Sequence, residues 1–174
     1  PVEGHPGTER RWRELIVPRA DLEAIVGERP LAGLWAAEAL RVHAWRPRAG
    51  VDTDHRTIPH ELDWLRTAVH LHKGCYRGQE TVARVHNLGR PPRRLVYLHL
   101  DGSGHVLPEA GAEVRVNDGS ADAAQSRPVG RLTSVARHYM DGPIALAVIK
   151  RNTDPGAELL VGNTSAAQTT IGPA

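Results

Sequence analysis

One cysteine stands in this chain of 174 residues, inside the octapeptide Lys73-Gly74-Cys75-Tyr76-Arg77-Gly78-Gln79-Glu80. A thiol flanked by Lys73 and Arg77, just ahead of a helix start, is expected to be held partly as the nucleophilic thiolate. The glycines let the backbone turn sharply and leave the sulfur uncrowded. From Gly78 onward the pattern reads as the first turns of a helix, with Val82, Val85 and Leu88 along one side. The competing reading is a buried structural cysteine, a common fate of free thiols.

Other residue groups propose other chemistry. His70 and His72, on a strand, would share one face and could join Cys75 around a transition metal. A solvated strand face explains the same pair, no fourth ligand is apparent, and no metal site is expected. A single cysteine cannot hold an iron–sulfur cluster in the ordinary four-ligand way, which leaves bridging between protomers or transient handling with a partner. A Cys–His nucleophilic site would need His60, His72 or His86 as base, and nothing orients any of them. Asp52-Thr53-Asp54 fails the calcium-loop pattern because Thr57 stands where its glycine belongs, so the pair reads as turn caps. Phosphate-loop, dinucleotide-fingerprint and Cys-x-x-Cys motifs are absent from the sequence. Arg90, Arg93 and Arg94 flank tandem prolines and read as a solvated connector; no direct nucleic-acid binding is expected.

The elements that must position these groups divide near residue 89. Residues 1–8 read as disordered, Arg11–Val17 as a strand ended by Pro18 and Ala20–Val26 as a short helix. Leu31–Leu40 has Leu31, Leu34, Trp35 and Ala39 at helical spacing, and Arg41–Trp45 follows as a strand. A long polar loop over residues 46–60 hints at function or exposure. Leu62–Leu71 mixes helix and strand signals. Beyond the connector, short apolar runs separated by turn dipeptides (Leu95–Leu100, Glu113–Val116, Val129–Val135, Ile144–Ile149, Glu158–Val161) predict an antiparallel β-barrel, with at most a weak final strand in residues 162–174. The expected fold class is α+β: an α+β portion over residues 1–89 and a small barrel over residues 90–174.

Composition sets outer limits. The formal charge is only +2, and the two lysines are Lys73 and Lys150. No apolar run approaches the roughly 18 residues of a membrane span, so no membrane association is expected. A lone cysteine suits a reducing cytoplasm. A start at Pro1 without an apolar leader reads as a fragment or processed chain.

The octapeptide closely resembles the signature of the YgfZ-type folate-binding proteins, which are related to the aminomethyltransferase (T-protein) of the glycine cleavage system. Around it, Gly33, Ala39-Leu40-Arg41, Gly50, Asp52, Asp54 and Ile58–Leu62 are similar to the family's approach to the signature. Val82, Arg84, Asn87-Leu88-Gly89 and Pro91 continue it. Val129-Gly130, Thr133-Ser134 and Gly142–Ala147 resemble strands of its C-terminal barrel, so the likeness covers most of residues 10–161. It implies the C-terminal portion of an aminomethyltransferase-like folate-binding domain. The implied function is a cytoplasmic tetrahydrofolate-binding factor that supports assembly or repair of iron–sulfur enzymes, and through them tRNA modification. Its partners would be folate and iron–sulfur enzymes or cluster-assembly proteins. Cys75, Lys73 and Arg77 would be the reactive group, and Gly74, Tyr76, Gly78, Gln79 and Glu80 would lie against the folate. Glu61 is the pterin-side candidate, because a carboxylate can accept two parallel hydrogen bonds from the pterin's N–C–N edge; an exposed loop acid is the alternative. Arg84 is a candidate binder of folate's glutamate tail, or a surface helix residue. The alternatives are a true one-carbon transferase acting with a lipoyl carrier, and a non-enzymatic interaction module.

Overall fold

The computed structural model describes residues 5–8, 10, 12–120 and 122–171. Among the described residues, four α-helices precede six strands: α1 (Leu22–Val26), α2 (Leu34–His43), α3 (Trp64–Thr67), α4 (Gln79–Leu88), then β1 (Arg93–Leu100), β2 (Glu113–Val116), β3 (Gly130–His138), β4 (Gly142–Lys150), β5 (Leu159–Val161) and β6 (Thr164–Thr170). The strands close into an antiparallel barrel in the order β1-β4-β3-β2-β5-β6. This is a mixed helix-and-sheet protein with a six-stranded barrel.

Two cores lie back to back across the barrel wall. Val96, Leu98, Leu132, Ala147, Ile149 and Leu159 fill the interior. Leu95, Tyr97, Ile144, Leu146 and Val148 point outward, where Ala39, Val42 and Leu62 cover them. Successive residues of a strand face opposite sides, so burial on both faces produces continuous apolar runs rather than alternation. Leu95–Leu98 and Ile144–Ile149 are such runs. The outer core crosses the boundary expected at residue 89, and α2 belongs to it.

Several expected elements differ. Residues 12–17 form no strand, and Arg11 lies outside the described residues. Arg41–Trp45 is no strand either. Helix α2 continues through His43, and Trp45 turns the chain with a φ of 52°. The face of α2 that carries Leu34 and Trp35 points outward, with Trp35 91% exposed. Of residues 1–8, expected disordered, residues 1–4 lie outside the description. His5 is buried beside Trp45, with ring centroids 5.9 Å apart. The weak final strand is a full one: β6 pairs with β5 and with β1, from Val96↔Thr170 to Leu100↔Ala166, and so closes the barrel.

The long loop of residues 46–60 is bolted to the barrel by carboxylates. A β-bulge between Leu132 and Ser134 breaks the β3 register and turns two consecutive hydroxyls to one side. Thr133 Oγ1 and Ser134 Oγ both donate to Asp52 Oδ1, at 2.5 and 2.6 Å. Asp52 Oδ2 accepts from Arg41 Nη1 at 2.9 Å and from the Arg48 amide at 2.8 Å. Asp52 is therefore buried with both oxygens satisfied, which offsets the cost of removing its charge from water.

Candidate functional site

The octapeptide runs from the irregular segment after α3 into the first turn of α4, which begins at Gln79. Gly78 caps α4 with a φ of 83°, a left-handed conformation that favours glycine. Val82 of α4 is buried, whereas Leu88 is exposed. Cys75 is a free, exposed thiol, as are Lys73, Gly74, Arg77 and Glu80 around it exposed. Lys73 Nζ stands 5.2 Å from the centre of the Tyr76 ring, a cation–π contact that holds the ammonium beside the sulfur's neighbour in sequence. Gln79 lies in the first turn of α4, its amide donating to the Tyr76 carbonyl at 3.2 Å. Arg84 pairs with Glu80 one turn back, at 3.3 Å and largely in solvent.

Glu61 takes a structural place rather than an open one. Its carboxylate is buried and receives Arg93 Nε and Nη2 side by side, at 2.9 and 2.8 Å. Arg93 Nη1 also donates to Asp54 Oδ2 at 2.7 Å. The hydrogen bond from Arg93 holds the Asp54 carboxyl well below the usual carboxylate range, and the two acids raise Arg93 further above its ordinary value. A pterin reaching Glu61 would have to displace a bidentate guanidinium. Arg93 and Arg94 are correspondingly not a solvated connector: they open β1, and Arg94 is buried and bonded to the Thr153 carbonyl and the Gln168 side chain.

His70 and His72 stand on no strand. Both are exposed, their ring centroids 6.2 Å apart, and the His72 amide points to His70 Nδ1 at 3.3 Å. They do not gather with Cys75 into a ligand set; the one group of such residues found together among the described residues is elsewhere, at His43, His138 and Asp141.

A cleft of about 990 Å³ opens where the C-terminal end of α4 meets the barrel. Val85, Leu65, Pro91 and Ile171 give it an apolar wall, and Arg66, Arg90, Arg94, Lys150 and Arg151 surround it with positive charge. Asp63 is the one carboxylate among the described lining residues, and Arg66 already grips it. His60 lines the same cleft with both ring nitrogens buried and without a hydrogen-bond partner. Burial, and secondarily the nearby His86, lowers its pKa and disfavours the charged ring. An unpartnered buried polar group carries a desolvation penalty that a ligand or a water molecule can relieve. The cleft therefore suits an anionic ligand with an apolar portion and a polar group that can reach His60.

None of the octapeptide residues lines this cleft. Cys75 precedes one end of α4 and the cleft meets the other, a helix of ten residues spanning about 15 Å. The sequence offers His60 as a base for Cys75 and as part of the family-like stretch Ile58–Leu62, not as a cleft residue, and it reads Arg90 and Arg94 as connector. Nothing in the spacing of Lys150 and Arg151 announced that barrel and helix would bring them together. Compared with protein-family models and with curated proteins, the chain matches none.

Proposed function

We propose that this protein binds tetrahydrofolate and supports the assembly or repair of iron–sulfur enzymes, through which it serves tRNA modification. The observation that carries the folate half is the unpartnered His60 in a cleft ringed by arginines. Folate joins a flat pterin with polar edges to a glutamate tail bearing carboxylates. Arg90, Lys150 and Arg151 suit the tail, and the His60 nitrogens suit the polar ring system. The tail assignment moves from Arg84, which points into solvent on its own helix. The pterin assignment moves from Glu61, whose carboxylate serves Arg93.

The thiol half rests on the exposure of Cys75 between glycines and cations. An accessible sulfur between glycines and cations can ligate a metal transiently and hand it over, provided that the partner supplies the remaining ligands.

Calorimetric titration with tetrahydrofolate tests the first half. Replacing Arg151 with alanine removes one charge-assisted contact and should weaken binding roughly 10- to 100-fold, and His60→Ala roughly 3- to 10-fold. Absence of binding by the wild-type chain overturns the folate reading. Complementation of a strain deficient in iron–sulfur enzyme maturation tests the second half: Cys75→Ser should abolish support while leaving folate affinity intact. Turnover in an aminomethyl-transfer assay with a reduced lipoyl carrier would move the reading to a one-carbon transferase.

A further inference from the structure

At the rim of the barrel, far in sequence from the octapeptide, three metal-ligating side chains converge. His43 is the last residue of α2, His138 the last of β3, and Asp141 belongs to the turn that leads into β4. Asp141 Oδ2 lies 3.2 Å from His43 Nε2 and 3.2 Å from His138 Nδ1. The three donor atoms lie within 4.8 Å of one another. Ligands held about 2.0–2.1 Å from one tetrahedral ion are separated by about 3.3 Å, so two of the three edges already have the required length.

His138 Nδ1 faces both the Asp141 amide, at 3.3 Å, and Asp141 Oδ2, at 3.2 Å. An imidazole nitrogen offers either one proton or one lone pair, so it serves the carboxylate as Nδ1–H, or the amide or a cation through its lone pair, one at a time. In the metal-bound state the ion takes that lone pair in place of these hydrogen bonds and lies between the nitrogen and Oδ2. The Tyr97 hydroxyl, 3.5 Å from Asp141 Oδ2, donates to the carboxylate and helps to orient it. The rings of His43 and His138 are stacked, with centroids 4.3 Å apart and planes 5° from parallel. Coordination therefore requires one ring to tilt. His43 is the one free to do so, since its side chain is 44% exposed and that of His138 only 4%.

We infer that His43, His138 and Asp141 form a binding site for a divalent transition metal of the zinc class. Two imidazoles and one carboxylate suit zinc, cobalt or nickel and disfavour magnesium and calcium, which prefer all-oxygen shells. Three protein ligands leave a position open to water or to a ligand from a partner. The ion would tie the end of α2 to the β3–β4 turn, beside the exposed Tyr139 and Met140.

Titration of the metal-free full chain with Zn²⁺ and with Co²⁺ tests the assignment. One equivalent should bind, raise the melting temperature, and give a Co²⁺ visible spectrum without the thiolate charge-transfer band that Cys75 would contribute. His43→Ala and Asp141→Asn, both at accessible positions, should each weaken binding by at least about 100-fold, beyond the range typical of residues that only orient a ligand. The triple variant His70→Ala, His72→Ala, Cys75→Ser should bind as the wild type does. The proposal falls if no stoichiometric site exists, if His43→Ala and Asp141→Asn leave affinity unchanged, or if the triple variant loses the site.

Discussion

Arg41 and Arg84 are both helical arginines paired with an acid of their own helix, Glu38 three residues back and Glu80 four residues back. Arg41 is buried and goes on to bond Asp52, Ser134 and the Arg46 carbonyl, which joins α2, the loop and β3. Arg84 reaches only Glu80, and both side chains stand in solvent. An exposed helical pair of that kind contributes about 0.3–0.5 kcal/mol. A buried network loses several times more when one member is removed, because the remaining charge is left uncompensated. The half of the chain before the barrel is thus two regions. Residues 34–62 are built into the barrel's outer wall, and the thiol-bearing segment after α3 is attached to it with few anchors.

The comparison can be broken most directly at Asp52. Asp52→Ala should cost about 3–5 kcal/mol in denaturant unfolding, because the buried Arg41 would keep only the part-exposed Glu38 as an acidic partner and the Thr133 and Ser134 hydroxyls would lose their acceptor. A loss below about 1 kcal/mol would mean that the loop is peripheral after all. Leu98→Ala, inside the barrel, sets the reference scale at about 2–5 kcal/mol.

Acid should loosen the same wall at its second bolt. Asp54 has a folded-state pKa below its ordinary value, with the Arg93 hydrogen bond as the main cause. Its contribution is therefore complete above the unfolded carboxylate value of about 3.9 and shrinks as pH falls below it. The stability difference between wild type and Arg93→Ala, followed from pH 7 downward, should narrow in that window. A difference independent of pH would show that Arg93 acts through packing alone.

The smallest effects on stability are expected in the thiol-bearing segment. Cys75→Ser and Arg84→Ala should each change stability by no more than about 0.5 kcal/mol. Cys75→Ser should also abolish alkylation of the otherwise exposed thiol. A large loss in either variant would place the octapeptide inside the packed structure and erase the contrast.

What the sequence revealed follows the same division. Barrel strands announce themselves by apolar runs between turns, and β2 lies at the residues expected, Glu113–Val116. Strand β6 was underrated because Thr164–Thr170 is small and polar; its order comes from pairing with β1 and β5, which no local pattern records. Val42 and Ala44 fit an alternating strand as well as a helix over so short a run, and tertiary bonds through Arg41 decide for the helix. The exposed thiol and the glycine cap of α4 were legible from residue types alone. The cleft cations and the His43–His138–Asp141 cluster were not, since each set is assembled from segments that meet only when the barrel closes.

That closure also limits how this molecule can be recognised. Each of the six strands is hydrogen-bonded to a neighbour on both sides. Among the described residues no strand is therefore a free edge along its whole length, although β2 and β3 share only two paired positions; extension by a foreign strand is disfavoured. Whatever engages this chain must read its loops, helix ends and rim side chains, where the thiol, the cationic cleft and the histidine cluster all reside.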